Sequence, residues 1–354
     1  MKDVARRAGV SQATVSYVIN GSEDERIGQA TRDRVFAAAR LLGYRPNVAA
    51  RSIRTQQSNL IGFVTDTVAS TPFAGAMIKG AQDAARAASK ILLLINTEGH
   101  AEVENTAIET LLEHRVEGIV YATMYHRSVV PPPGLRETEA VLLDCYCEDR
   151  SLASVVPDEV TAGRTATEAL IRKGHRRIGL LNNSDDVPAA SGRLAGYRQA
   201  LVEHQLDSDP ALIESASGGT ARAGYEAALA LLSRTDRPTA VFCFNDPMAM
   251  GAYDAIRKLG LTIPDDIAVI GFDNHEVIAP ALHPGLCTMQ LPHYEMGQWA
   301  VRHLLGGPES EPGPVQRLFD CPYIERESIQ RNDPRRTWRR KDLPPESPAA
   351  SPEV

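Results

Sequence analysis

MKDVARRAGVSQATVSYVIN, residues 1–20, predicts two short helices joined by a tight turn. A small Ala5 lets the helices cross closely, Gly9 supplies the turn, and Ser11 is a good N-cap for the second helix. The inward-facing apolar stripe consists of Val10, Val15, Val18 and Ile19. The stretch therefore predicts a helix-turn-helix that presents a polar face to DNA.

The polar face of the second helix carries candidate DNA contacts. One exposed face near the N-terminus of this helix is expected to carry Gln12, Ala13, Ser16 and Tyr17, because they are spaced at i, i+1, i+4 and i+5. The candidate set on this helix is completed by Ser11, Thr14 and Asn20. Other short amphipathic helix pairs share this pattern, so the rest of the chain has to decide between the interpretations.

The distribution of charge supports a DNA-binding N-terminus. The 354-residue chain has a net charge of −7, but residues 1–57 carry ten Lys/Arg against five Asp/Glu, whereas the remainder carries 28 against 40. A cationic module on an acidic body fits a DNA-binding head attached to a ligand-binding core. The length predicts two or more domains, at roughly 100 to 200 residues each.

Several classes of protein are disfavoured by what the chain lacks. Its five cysteines, which form no CxxC pair, are Cys145, Cys147, Cys243, Cys287 and Cys321. They predict reduced core thiols, and we expect neither a disulfide framework, a metal nor a cofactor. Without a GxxxxGK[ST], GxSxG or HExxH motif, no catalytic residue is predicted. No signal-peptide pattern or membrane-length apolar run occurs, so we expect a cytoplasmic protein without membrane contact.

From Leu60 onward, short apolar runs alternate with helical segments, which is typical of a parallel sheet covered by helices. The predicted strands are 60–65, 91–97, 118–123, 140–145, 177–183, 240–246 and 267–274. The predicted helices are about 74–88, 102–115, 160–173, 192–204, 220–233, 247–259 and 294–305. The strand at 177 restarts the alternation begun at 60, which indicates two similarly built α/β lobes. Ligands of such sheets bind beyond the carboxyl ends of the strands.

Four segments are expected along the chain. Residues 1–44 form the headpiece, with a third helix that begins near Gly28, and residues 45–57 form a hinge helix and linker too short to fold alone. The core spans 58–330, with lobe one at about 58–157 and 289–318 and lobe two at about 158–288 and 319–330. Residues 331–354 are rich in Pro, Ser and charge, and predict a disordered tail.

Seven motifs occur in an order that carries a family resemblance: KDVARRAGVSQATVS, GYRPNVAARSIRT, GHRRIGLL, GRLAGYRQAL, FNDPMAMGA, IPDDIAVIGFDN and YEMG. With them the chain resembles the lactose-repressor-type (LacI/GalR) family of transcriptional regulators over residues 1 to about 330. The resemblance implies an all-α helix-turn-helix headpiece, a hinge helix, and a two-lobed α/β core like a type I periplasmic binding protein. It also implies a homodimer that binds double-stranded operator DNA.

By the same resemblance, the base-reading positions of the recognition helix are Gln12, Ala13 and Tyr17. Tyr17 stands where many relatives have arginine, and a phosphate contact or a packed ring is nearly as good an interpretation. The hinge residue that wedges into the minor groove is Ile53, which can also pack two hinge helices together. On that helix Arg51 and Arg54 can meet phosphates and Asn47 can act as the cap.

The resemblance places effector contacts on Phe73, Asp144, Arg193, Asn245 and Asp273. Carboxylates accept hydrogen bonds from hydroxyls, a guanidinium donates in a fork and an amide does both, which suits a polyol. Each position also has an ordinary explanation, because a strand-end polar residue can cap the next helix, and we expect that role for Asp246. Arg193 and Asp273 are expected to contact the ligand, since buried charge rarely persists without a partner.

Two departures from the family pattern concern this pocket. Gly218-Gly219 stands where some sugar-binding relatives have an aromatic wall, and Leu291 replaces a glutamine. The expectation is either a wider pocket or a ligand stacked on another residue, such as Phe73 or Tyr146.

The sequence thus predicts a dimeric, sequence-specific DNA-binding repressor controlled by a sugar or sugar derivative bound between the core lobes. A purine or nucleoside is the alternative effector. Ligand binding would change lobe closure and hinge separation, and the sequence leaves open whether the effector induces or corepresses. A solute-binding receptor and an enzyme are weaker alternatives, because the chain has a basic head and lacks both a secretion signal and catalytic motifs.

Overall fold

In a computed structural model, the chain is described over residues 1–19, 27–44, 58–70, 75–307 and 314–332. It divides into two compact units, Met1–Asn59 and Leu60–Val354. The described part of the first unit consists of three helices: α1 (Lys2–Ala8), α2 (Gln12–Ile19) and α3 (Gln29–Leu41).

The helix-turn-helix forms for the reasons that its sequence indicates. Gly9 adopts φ 66°, a left-handed conformation that a side chain disfavours, and ends α1. Ser11 is confirmed as the cap of α2, since its Oγ accepts a hydrogen bond from the Thr14 amide at 3.0 Å. Val15 and Val18 are buried in a small core shared with α1 and α3. Leu42 lies beyond the end of α3 and is 44% exposed.

The second unit alternates strands and helices throughout. Its first half contains β1 (Leu60–Thr65), α4 (Gly75–Ala87), β2 (Ile91–Asn96), α5 (Ala101–Glu113), β3 (Ile119–Ser128), β4 (Ala140–Tyr146), β5 (Ala153–Pro157) and α6 (Glu159–Arg172). Its second half contains β6 (Ile178–Asn183), α7 (Pro188–Glu203), β7 (Ile213–Ala216), α8 (Ala221–Leu232), β8 (Ala240–Cys243), α9 (Asp246–Lys258), β9 (Ala268–Asp273), β10 (Cys287–Gln290), α10 (His293–Leu304), β11 (Gln316–Phe319) and β12 (Tyr323–Ile324).

These strands form two six-stranded sheets of matching order, β11-β5-β4-β3-β1-β2 and β12-β10-β9-β8-β6-β7. Among the described residues, all ladders are parallel except that between β10 and β12. The two sheets define a first lobe and a second lobe, and the chain crosses between them after β5, after β10 and after β11. Because parallel strands share one orientation, polar residues that follow β3, β4, β6, β8 and β9 gather at strand ends.

The seven predicted strands are present, with bounds that differ by a few residues. Five short strands, β5, β7, β10, β11 and β12, were not predicted, because runs of two to five residues are too short to show a periodicity. The predicted start of α7 at residue 192 is wrong: the helix begins at Pro188, whose fixed φ suits the first helical position.

Three helix pairs pack so closely that backbone meets backbone at glycine. At Gly196 on α7, an added Cβ would overlap the carbonyl oxygen of Val160 on α6 and lie 2.5 Å from the Arg164 nitrogen. Equivalent contacts join α8 to α9 at Gly224 and α4 to α10 at Gly297. The alternation of helices in sequence therefore becomes a set of tight pairs, of which α6 and α7 form one.

Gly196→Ala is expected to lower the free energy of unfolding by about 1–3 kcal/mol, because the opposing atoms are backbone and cannot rotate away. Urea unfolding measures the change. Gly75→Ala is the matched control, since a Cβ there meets no described atom within 4 Å. An equal effect of the two substitutions would contradict the close-packing explanation.

Candidate functional site

The second unit holds a cavity of about 290 Å³ between its two lobes, at strand ends and helix starts. Four carboxyl side chains and one guanidinium are among its described lining groups: Asp144, Glu159, Asp185, Asp273 and Arg193. Further polar lining comes from His126, Asn183, Asn245 and His293. Four of the five predicted effector contacts therefore line one cavity, whereas Phe73 lies outside the described residues.

Arg193 is held by a buried ion pair within the protein. Its Nε donates to Glu159 Oε2 at 2.8 Å, its Nη2 to Oε1 at 3.3 Å, and its Nη1 to the Phe244 carbonyl at 2.6 Å. The guanidinium carbon lies 3.5 Å from the centre of the Phe272 ring. The partner that its burial demanded is thus Glu159, which the sequence reasoning missed, and both residues line the cavity.

The ion pair shifts the pKa values of both its members. Burial is the largest effect and opposes ionisation of both groups, but the charge and hydrogen bonds of Arg193, together with the nearby His126, lower the pKa of Glu159. The carboxylate of Glu159 in turn raises the pKa of Arg193. Both side chains are therefore charged at neutral pH.

Asp144, two residues before the end of β4, is a carboxyl group of the cavity wall. Asp144 is buried, and its Oδ1 has no hydrogen-bond partner among the described residues. Burial and the nearby charge of Glu159 raise its pKa well above the ordinary value. A hydroxyl donor from a ligand would satisfy this oxygen.

Asp273 faces the same cavity from the second lobe, at the end of β9. Its backbone has φ 108°, a conformation that non-glycine residues rarely adopt. Burial raises its pKa, whereas Arg193 acts to lower it. Carboxyl groups of both lobes thus converge on one space.

Asn245 has a structural role besides its place in the cavity wall. Its Oδ1 accepts from the Met248 amide at 2.8 Å and caps α9, and its Nδ2 donates to the Gly219 carbonyl at 2.8 Å. The capping role expected for Asp246 is therefore wrong. Asp246 is instead buried one residue later, where it accepts hydrogen bonds from Thr288 Oγ1 and the His275 amide, both at 2.7 Å.

Three residues that depart from the family pattern lie in the wall of the cavity. Gly218, Gly219 and Leu291 all line the cavity. Tyr146 is not among its lining residues, because its ring packs edge-on against His126 and under Arg150. The described aromatic rings at the cavity are those of Tyr125 and Phe244.

His126 and His293 are further lining residues that the sequence reasoning missed. His293 opens α10, and burial lowers its pKa to about 4, so the ring is neutral at pH 7. His126 lies on β3, with its Nδ1 3.9 Å from Glu159 Oε1. Neither position carries a local sequence signal, because a lone histidine does not reveal which cavity it borders.

The headpiece carries the second group of predicted residues. Gln12, Ala13 and Tyr17 are exposed on α2, and Ser16 is half-buried. The hydroxyls of Ser11 and Thr14 lie 2.9 Å apart and bond to each other. Outside the described residues lie Asn20, Asn47, Arg51, Ile53 and Arg54.

Searches of the described residues for two other kinds of site give negative results. No helix there is long and apolar enough to cross a membrane. In the same part of the chain, no group of three His, Cys, Asp or Glu side chains is arranged to hold a metal ion.

Comparisons with known proteins agree with both units. Residues 1–47 match the model for bacterial regulatory proteins of the lacI family, and residues 58–324 match the model for periplasmic binding proteins and the sugar binding domain of the LacI family. The chain is 36% identical over 310 residues to the ribose operon repressor of Escherichia coli K12. The aligned region covers 86% of this chain and 92% of the relative. It is 32% identical over 339 residues to the E. coli K12 transcriptional repressor CytR, and this alignment covers 93% of this chain and 96% of CytR.

Solved structures resemble the chain along most of its length. The lac repressor dimer bound to operator and the anti-inducer ONPF superposes with a TM-score of 0.76 at 26% identity, covering 93% of this chain and 98% of that one. The complex of the regulator CelR with cellobiose gives a TM-score of 0.64 at 27% identity, covering 93% and 99%.

Proposed function

The chain belongs to the LacI family of DNA-binding transcriptional regulators, which are not enzymes, and on that premise we propose that it is a repressor whose effector is a neutral, monosaccharide-sized polyol. The effector binds in the cavity between the two lobes. The observation that carries this proposal is the unpartnered Oδ1 of the buried Asp144.

The charge of the cavity selects among sugar derivatives. Glu159 neutralises Arg193, so the remaining described carboxyl groups, Asp144, Asp185 and Asp273, make the lining acidic. Asp185 is engaged by Ser217 Oγ at 2.8 Å and the Gly218 amide at 3.1 Å, which leaves Asp144 and Asp273 as acceptors for a ligand. Hydroxyl donors suit such acceptors, whereas a sugar phosphate presents acceptor oxygens in place of hydroxyl donors.

The size of the cavity limits the ligand. A volume of about 290 Å³ lies at the lower end of the range for small-molecule pockets. A single sugar ring fits this space better than a disaccharide does. A nucleoside is the second candidate, because the ring of Phe244 lines the cavity and offers a surface for a base.

The DNA-binding side of the proposal follows the headpiece. We assign base contacts to Gln12, Ala13 and Tyr17, with Ser11, Thr14 and Ser16 beside them. The segment 45–57, with Asn47, Arg51, Ile53 and Arg54, connects the headpiece to the core of residues 58–330, followed by a tail of residues 331–354. Two chains act as a dimer on a near-palindromic operator in the cytoplasm.

Thermal-shift measurements on the full chain test the effector class. The panel comprises pentoses, hexoses, nucleosides and sugar phosphates, and a neutral sugar is expected to raise the melting temperature by mass action. Stabilisation by a sugar phosphate alone, or by no polyol, would contradict the proposal. Consumption of the sugar beyond one equivalent would contradict binding without catalysis.

Asp144→Asn is expected to weaken binding of the sugar found in that panel by up to about tenfold, since a hydrogen bond between uncharged groups contributes about 0.5–1.5 kcal/mol. The same change is expected to stabilise the free protein at pH 7. The raised pKa means that the folded protein favours the protonated form, so ionised Asp144 costs stability at neutral pH and this cost disappears as the pH falls.

Isothermal titration and urea unfolding at pH 7 measure the two effects. Asp254→Asn, at a carboxyl group that is 68% exposed, is the matched control and should change neither. Loss of both affinity and stability in Asp144→Asn would indicate a structural role instead.

A further inference from the structure

A bulge in the first sheet lies against the effector cavity. In the β3–β4 ladder, Ala122 pairs with Leu143 and Arg127 pairs with Cys145. Four residues of β3, 123–126, therefore oppose the single residue Asp144 of β4. Bulges displace and re-aim side chains, and Met124, Tyr125 and His126 of this bulge all line the cavity.

The bulge is held in place by hydrogen bonds from both sides. The Thr123 hydroxyl lies 2.9 Å from the Tyr125 carbonyl and 3.0 Å from the Asp144 carbonyl, so it ties the bulge to β4. The Met124 amide donates to Asp66 Oδ1 at 3.0 Å, which ties it to the end of β1. These bonds preorganise the position of His126 beside Asp144.

His126 has its polar atom available and its ring fixed. Its Nδ1 is buried without a hydrogen-bond partner among the described residues, and the 3.9 Å to Glu159 Oε1 is too long for a hydrogen bond. The ring packs edge-on against Tyr146, with 5.7 Å between the centroids. Asp144 Oδ1, on the strand that pairs with this bulge, is likewise without a partner among the described residues, and both residues line the cavity.

We infer that His126 is a specificity-determining effector contact that, together with Asp144, reads two neighbouring hydroxyl groups of the ligand. This inference rests on the proposed polyol effector. Asp144 Oδ1 accepts a hydrogen bond from one hydroxyl. The other hydroxyl bonds to Nδ1 in either imidazole tautomer, because a hydroxyl both donates and accepts. A ligand that lacks either hydroxyl leaves a buried polar atom unpaired and is rejected.

The test compares a sugar with its monodeoxy analogues on wild type and variants. The probes are D-ribose, D-xylose, D-glucose and D-galactose. The sugar that binds most tightly is then compared with its own monodeoxy analogues. Wild type is expected to bind at least one analogue about tenfold more weakly than the parent sugar. The variant His126→Phe keeps a ring against Tyr146. Its affinities for the parent sugar and for the analogue that wild type binds more weakly are expected to differ by no more than about twofold. His204→Phe, at an exposed histidine that ends α7, should retain wild-type discrimination.

The outcomes separate the two proposals. Binding of none of the four sugars by wild type would overturn the polyol effector and this inference with it. Sugar binding with unchanged discrimination in His126→Phe would overturn the inference alone. His126→Asn, whose amide can replace Nδ1, should restore part of the discrimination. A merely structural role of His126 would instead lower the stability of both variants and leave the ratio of the affinities for the parent sugar and the analogue unchanged.

A measurement on wild type does not depend on the folding of any variant. In protein labelled with ¹⁵N-histidine, the Nδ1 resonance of His126 is expected to shift when the sugar saturates the site. An unchanged His126 resonance under saturation would contradict the contact.

Discussion

Glu159→Gln is expected to lower the free energy of unfolding by about 3–5 kcal/mol, the cost of leaving a buried charge without its partner. Arg193 and Glu159 are 3% and 5% exposed, so water cannot replace the lost carboxylate. The glutamine side chain keeps the volume and one acceptor oxygen but removes the negative charge. Urea unfolding at pH 7 measures the change.

The same pair predicts a direction for the pH dependence. Because the folded protein holds the pKa of Glu159 below its ordinary value, the contribution of this group is present at neutral pH. It is lost as the pH falls through the lowered pKa. Glu159→Gln should therefore remove part of the acid sensitivity of the wild-type protein.

Two controls isolate the effect of burial. Glu226→Gln breaks an exposed pair with Arg222, 2.9 Å apart on α8, and should change stability by less than about 1 kcal/mol. The double variant Glu159→Leu/Arg193→Met replaces both charges by apolar groups and should recover most of the stability without restoring sugar binding. A loss below about 1 kcal/mol in Glu159→Gln would mean that Asp144 or Asp273 compensates Arg193.

The overall fold was predictable because its long strands are buried on both faces. Runs such as Leu60–Thr65 and Ala140–Tyr146 are almost entirely apolar, and helical segments separate them. β12 contains only two residues and pairs with β10 through a register that local sequence does not encode. Close glycine contacts such as that of Gly196 with Val160 are also invisible locally, because they depend on two helices meeting.

The lining of the cavity was predictable in part, and its bonding was less so. Asp144 and Asp273 lie in the last residues of β4 and β9, Arg193 lies in α7 and Asn245 caps α9, and all four line the cavity. Burial of Arg193 required a partner, but the partner lies 34 residues away at the start of α6. The predicted helix began one residue after Glu159, so this carboxylate was not considered.

The bulge of residues 123–126 had no counterpart in the prediction. The predicted strand ended at residue 123, whereas β3 continues to Ser128 after a change of register. A register shift depends on the neighbouring strand, here β4, and so no pattern within β3 could place His126 at the cavity.

Val15→Asp is expected to abolish specific operator binding, with a loss of at least about 100-fold, while sugar binding remains. Val15 is fully buried in a headpiece core that contains few other large side chains, among them Val4, Val18 and Val35. An unpaired carboxylate in such a core costs several kcal/mol. A unit of this size has little stability to lose, because small domains bury a small share of their surface.

Gel-shift titration on a near-palindromic DNA selected by wild-type protein from a random pool measures the loss, and calorimetry measures sugar binding. The control is Leu41→Asp, which adds the same charge to the same unit at a side chain that is 70% exposed and should leave the helices folded. Since residues 60–354 form a compact unit of their own, they should keep their sugar affinity in both variants. Operator binding by Val15→Asp within about tenfold of wild type would mean that the buried core of the helix-turn-helix does not support the DNA-reading face of α2.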